Sequence, residues 1–182
     1  MDESLILMAF KGKSLLSKAI QFRTNGPYSH IAYMVHKNSY ILGNVPLAIE
    51  AWRGWVRVAD VNYSHSQGTP YDVFEIHTTT PQLMAFESFL SKQIYKKYDF
   101  MAMLNFICNK YYDPTVPNDG IEVWNNKDKW FCSELIAKGL IDAEIINAEH
   151  IPVLTDPTAL IKAVQEHANW SFIRTAVTSR GK

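Results

Sequence analysis

Five short runs of apolar, β-branched and aromatic residues crowd the first 76 residues of the chain, and this clustering constrains the fold more than any other feature. They are LILMAF (Leu5–Phe10), SHIAYMV (Ser29–Val35), PLAIEAW (Pro46–Trp52), WVRVADV (Trp55–Val61) and YDVFEI (Tyr71–Ile76). Runs of this length and composition read as strands with at least one buried face. One helix interrupts them. Behind a possible cap at Ser14, the segment SLLSKAIQF sets Leu15, Leu16, Ala19, Ile20 and Phe22 at helical spacing. After TTTPQ the period turns helical over Leu83–Ile94 and Asp99–Cys108, and the Pro-, Asn- and Asp-rich stretch YYDPTVPNDG reads as a surface loop. KWFCSELIAKGLI predicts a further helix. DPTALIKAVQ predicts another, with Asp156 as cap and Pro157 at the first helical position, and WSFIRTAV a closing strand. Strands followed by helices predict an α+β fold, an antiparallel sheet or partial barrel packed against helices, in one domain spanning residues 1–182. At 182 residues and 47% hydrophobic, the chain can bury one sizeable core.

Charge narrows the partners. Lys plus Arg balance Asp plus Glu at 18 each, so no overall basic field draws the chain to nucleic acid or to an anionic membrane. The opening MDESLILMAF carries acids where a secretory leader carries bases, and no apolar run approaches the roughly 18 residues of a membrane span. A cytoplasmic protein without a transmembrane segment is the expectation. Two cysteines, Cys108 and Cys132, make neither a disulfide framework nor a zinc CxxC pair.

Cys132 is the residue with the clearest chemical promise. It falls near the start of a predicted helix, where unpaired N–H groups and the helix dipole favour a thiolate. Cys108, inside an apolar run, reads as a core residue. A cysteine nucleophile needs a base, and the base needs a group that fixes its tautomer. His30 and Glu50 can supply both. If the second and third strands form a hairpin centred near Tyr40, His30 and Glu50 fall directly opposite each other, with Cβ atoms about 5 Å apart. No Asn-Gly turn pins that register. Two polar groups in adjacent apolar strands, able to satisfy one another, are more economically a built pair than two separate burials.

Other candidates drop out. His36, His65, His77, His150 and His167 show no partner pattern and read as solvated or structural. No HExxH or other helix-spaced histidine pair marks a metal site, and no cofactor is expected. KGKS at residues 11–14 contains the GKS of a phosphate loop, but Leu7 stands where that motif needs glycine. No GxSxG elbow supports Ser29 or Ser133 as a nucleophile. Trp52, Trp55, Trp124 and Trp130 flank the candidate segments, as core or rim residues or as the lining of an apolar groove.

Taken in order, LILMAFKGKSLLSKAIQF, PYSHIAYMV, IEAWRGWVRVADV, KKYDF and WFCSELI resemble the circularly permuted branch of the NlpC-type papain-like cysteine hydrolases, the YiiX-like proteins. The resemblance spans nearly the whole chain. Its sharpest parts are the SH that opens a strand, the EA that ends the next, the YDF before a helix and the CSEL that starts one. It implies a papain-like fold in permuted order, histidine first and cysteine late. It also implies Cys132 as nucleophile, His30 as base and then acid, and Glu50 as the group orienting His30. Tyr98 and Asp99 match the family's YD segment and carry a structural role. The opening DESLIL departs from the common Gly-Asp start, which bears on the groove edge rather than on the trio.

The function expected from this resemblance is that of a cysteine-dependent hydrolase or acyltransferase acting on an amide, ester or thioester. A small peptide or a lipid-acyl substrate fits equally, because relatives by fold include both peptidoglycan-peptide hydrolases and enzymes resembling lecithin retinol acyltransferase. Two other classes stay open. One is a non-catalytic peptide- or lipid-binding module on the same fold; the other is an assembly protein, which would show a large exposed apolar patch.

Overall fold

The computed structural model describes residues 2–35, 46–100, 103, 107–108, 128–151 and 155–179. The strands are β1 (Asp2–Phe10), β2 (His30–Met34), β3 (Leu47–Trp52), β4 (Trp55–Asp60), β5 (Pro70–Thr79), β6 (Lys97–Tyr98), β7 (Lys129–Trp130) and β8 (Trp170–Val177). The helices are α1 (Leu15–Arg23), α2 (Val61–Ser64), α3 (Thr80–Gln93), α4 (Cys132–Asp142) and α5 (Pro157–His167), with a 3-10 turn at Ala148–His150. Most of the predicted helix over Asp99–Cys108, the YYDPTVPNDG loop, His36 and Trp124 lie outside the described residues.

The eight strands among the described residues join one curled sheet in the order β7-β6-β4-β3-β2-β1-β5-β8. Every pairing is antiparallel except β6 with β7, so the sheet is mixed rather than antiparallel throughout. The exception has a topological reason: the chain leaves β6 and returns to its edge after a long excursion, and only adjacent hairpins force antiparallel order.

Strand alternation sorts the sheet into two faces. Leu5, Leu7, Ile31, Tyr33, Ile49, Ala51, Phe74 and Ile76 point to one side, where they pack with Phe86 and Leu90 of α3 and Leu135, Ile136 and Leu140 of α4. Ile6, Met8, Phe10, Ala32, Ala48, Tyr71 and Val73 form a smaller core on the other, closed by Val61 at the start of α2. α3 and α4 approach closely at Gly139, where a Cβ would lie 2.8 Å from the Phe86 ring.

The caps follow the sequence. Ser14 accepts from the Ser17 amide, Thr79 and Gln82 make a capping box, and Asp156 accepts from Thr158 and Ala159 ahead of a helix that begins with Pro157. α1 departs from its predicted amphipathic role. Only Ser17 and Ile20 are buried, while Leu15 and Phe22 are 91% and 90% exposed.

Candidate functional site

The β3–β4 hairpin builds the first part of the site. Arg53 and Gly54 form its two-residue turn, both at positive φ, 44° and 117°, as tight hairpins of this kind require. That turn sets the register Glu50↔Arg57. Arg57 therefore reaches straight across, and its Nε and Nη2 donate to Glu50 Oε1 at 3.2 and 3.0 Å.

His30 enters from β2, but not in the expected register. The described β2–β3 pairs are Tyr33↔Ile49 and Met34↔Ala48. Continued, they place Ala32 across from Glu50 and Trp52 across from His30, so the predicted direct pairing is corrected to a diagonal one. The error is two residues, and the side-chain period is also two, so both groups keep the same face. His30 Nε2 and Glu50 Oε2 are 3.0 Å apart, both residues 1% exposed, and the Trp52 ring lies 4.7 Å from the imidazole.

His65 is the residue that sequence reasoning missed. It follows α2, is buried, and brings its Nε2 to 3.0 Å from the same Oε2. Its ring stacks on Phe10 at 3.9 Å between centroids. No periodic signal could have found it, since its position depends on how α2 folds back beneath β3 and β4. Arg57 was within reach, because the Arg-Gly turn alone fixes its partner.

The charges follow from this packing. Burial works to raise the Glu50 carboxyl, but hydrogen bonds from His30 and His65 more than offset it and hold it well below the usual carboxylate range. Burial pushes His30 below its ordinary 6.5 despite the attraction of Glu50. A neutral imidazole that donates through Nε2 to Glu50 leaves its lone pair on Nδ1. That nitrogen is buried and, among the described residues, without a hydrogen-bond partner.

Cys132 opens α4, as predicted, and is 2% exposed. Val35 N–H donates to Leu47 O, so by the strand period the Ile31 N–H also points toward β3. Instead of a strand carbonyl, the Ile31 amide meets the Cys132 sulfur, which the Ser133 and Cys132 amides also contact. The thiol thus sits where β2 and β3 part, one residue along the backbone from His30. Burial dominates these amides and pushes the thiol up to about 11, a correction to the thiolate expected from the helix terminus alone. Cys132 and His30 share no hydrogen bond: by strand alternation His30 and Glu50 lie on the face of Ala32 and Ala48, whereas α4 packs against the Ile31 and Tyr33 face, so of the three predicted residues the structure brings His30 and Glu50 into contact.

Tyr98 lies beside the sulfur. Burial, then the neighbouring Cys132 and Asp99, raise its hydroxyl, which contacts Met103 Sδ at 3.4 Å. Cys108 is exposed, against the expectation of a core residue. His77 and His167 are exposed, in line with their reading as solvated groups. Trp130 is buried, its indole N–H donating to Gln93, whereas Trp55 is 53% exposed.

A cavity of about 390 Å³ adjoins these residues. Ser29, next to His30, and Trp52, against its ring, form one wall; Tyr98 and Met103 form the floor; Leu16 and Ile20 of α1 close the far side.

His30, Glu50 and His65 also form the kind of cluster that holds a metal ion, each offering one donor atom, all within 4.8 Å of one another. Two imidazole nitrogens and a carboxylate are suitable donors for zinc. The surroundings fit less fully. Arg57 already occupies the other carboxylate oxygen, and among the described residues His30 Nδ1 lacks the second-shell acceptor that metal-bound histidines almost always have.

No family model matches the chain, and no curated protein matches it. Among solved structures it is similar to the metalloprotein YiiX from Escherichia coli, with a TM-score of 0.58 and 18% identity over 96% of this chain and 97% of that one. The likeness covers both chains almost completely, so the YiiX-like fold expected from the sequence is the fold observed.

Proposed function

We propose that this chain is a cysteine-dependent acyl-transfer enzyme, a hydrolase or acyltransferase of the permuted papain-like, NlpC-type kind. One observation carries the reading: a buried His30 Nδ1, unpartnered among the described residues and oriented from behind by Glu50, belongs to the residue before Ile31, whose amide neighbours the Cys132 sulfur. A thiol at rest and a neutral imidazole suit general-base attack. As Cys132 attacks an amide, ester or thioester carbonyl, its S–H proton passes to His30 Nδ1 and the S–C bond forms. The imidazolium is stabilised by ionised Glu50. Amides of the first turn of α4 donate to the oxyanion, a contribution of about 3–4 kcal/mol for a good donor. His30 returns the proton to the leaving group as its bond to carbon breaks. Water, or another acceptor, then resolves the acyl-enzyme by the reverse transfer, and the thiol is restored.

The test is acylation itself. Incubated with p-nitrophenyl butyrate and followed by intact-protein and peptide mass spectrometry, the wild type gains a butyryl group on Cys132. Cys132→Ala gains none there, and His30→Ala slows the adduct by about 10²–10⁴-fold. Absence of any Cys132 adduct in the wild type overturns the reading in favour of a non-catalytic binding module.

A second reading is favoured by the His30, Glu50 and His65 cluster and by the description of YiiX as a metalloprotein. In it these three residues hold a divalent cation, which would supply Lewis acidity to a bound carbonyl or water. Isothermal titration with zinc separates the readings. Tight one-to-one binding that His65→Ala abolishes supports the metal, and its absence leaves the carboxylate as a partner for two histidines only.

A further inference from the structure

We infer that the outer face of α1 docks on an anionic membrane surface, with Leu15 and Phe22 as apolar anchors and Lys13 and Lys18 as the charges that meet the headgroups. The helix is turned inside out. Leu15, Lys18 and Phe22 stand at i, i+3 and i+7 on a single face, and Leu15 and Phe22 are 91% and 90% exposed. Polar side chains hold the other side down. The Ser14 and Ser17 hydroxyls bond each other at 2.9 Å, and Gln21 Nε2 donates to Gly12 O and Pro27 O at 3.1 and 3.0 Å. The chain just past the helix is fixed as well, since a Cβ at Gly26 would lie 2.3 Å from Thr158. The two anchors are thus presented rigidly, about 10 Å apart along the helix axis. At nine residues α1 is too short to hold a helix on a bilayer by itself, so the body of the protein supplies the shape and the membrane receives the side chains.

Charge selects the partner. The balance of 18 bases against 18 acids in the whole chain conceals a local excess. Between Glu3 and Glu50 there is no acidic residue, while Lys11, Lys13, Lys18 and Arg23 fall within α1 or just before it. Lys11 is taken up by Asp72 at 2.8 Å. Lys13 and Lys18 are exposed and make no salt bridge among the described residues. Near an anionic leaflet each such charge strengthens binding about fivefold, and the large apolar side chains beside them enter the boundary between headgroups and acyl chains.

A protein partner fits this face less well. Protein interfaces are depleted in lysine and need a surface of matching shape. Two protruding anchors with lysines around them need only a fluid apolar layer under a layer of negative charge.

The test sediments the whole chain with vesicles of phosphatidylcholine alone, or of equal parts phosphatidylcholine and phosphatidylserine. The mixed vesicles are expected to bind at least tenfold more tightly, and added salt to weaken the binding, because exposed charges are screened. Leu15→Asp with Phe22→Asp, and separately Lys13→Gln with Lys18→Gln, each weaken it at least tenfold while the circular dichroism spectrum stays unchanged. Phe22→Trp reads insertion directly: on mixed vesicles its emission shifts to the blue beyond any change in the wild type. Failure to sediment with mixed vesicles overturns the docking, as does binding that survives loss of both anchors or of both lysines. Self-association of the wild type without lipid, abolished by Leu15→Asp with Phe22→Asp and accompanied by indifference to vesicles, assigns the face to a second copy of the chain instead. None of these outcomes depends on turnover at Cys132, so the acyl-transfer reading stands or falls separately.

Discussion

Cys132 shows why a residue's chemistry is not legible from its helix position alone. The helix terminus favours an anion by roughly 0.3–1 kcal/mol where it is exposed, whereas full burial disfavours the same anion more strongly. The structure lets burial win, and the thiol stays protonated at neutral pH. Iodoacetamide at neutral pH is therefore expected to alkylate exposed Cys108 first and Cys132 more slowly, the reverse of the order a preformed thiolate would give. Peptide mapping over a time course reads this directly, and faster labelling of Cys132 would show that the resting sulfur is ionised. His30 and Glu50 were legible as a pair because polar groups in apolar strands need partners. His65 was not, because a histidine after a four-residue helix carries no pattern until the chain around it is placed.

At the scale of elements, α4 joins the site to the core. Its first residue is the thiol, and its later turns pack on α3 and β2. Gly139 lets the two helices close: a Cβ there would stand 2.8, 3.0 and 3.2 Å from ring atoms of Phe86 and Phe89. Glycine in a helix interior costs about 1 kcal/mol relative to alanine, so its presence marks a close approach. Gly139→Val is expected to destabilise the protein by about 1–3 kcal/mol through overpacking, measured as a lower urea midpoint with unchanged slope. An unchanged midpoint would mean that α3 and α4 can separate freely. The hairpin β3–β4 was readable in the same local way, since Arg53-Gly54 fixes both its turn and the Glu50↔Arg57 pair. The β2–β3 register was not, because the connection between them carries no turn signal that pins a register.

Over the whole molecule, the buried cluster ties stability to pH. His30 is held below 6.5 in the folded chain and returns to 6.5 on unfolding, so the unfolded state binds more protons as pH falls below 6.5. Glu50, held low in the fold and ordinarily at 4.5, adds the same effect below 4.5. Both contributions are present above those values and lost on acidification. The urea midpoint should therefore fall in two stages as pH drops from 7 through 6.5 and 4.5, and Glu50→Gln should remove the second stage. A midpoint that is flat to pH 5 would place His30 in water. The sequence by itself determined six of the eight described strands, the caps at Ser14 and Asp156, the α+β class, the cysteine-bearing helix and the shared face of His30 and Glu50, because propensity, period and capping act over a few residues. Only the tertiary structure decided the diagonal register, the arrival of His65, the protonated thiol and the cavity against α1. Each of these depends on burial or on the meeting of segments far apart in the chain, which no local pattern encodes.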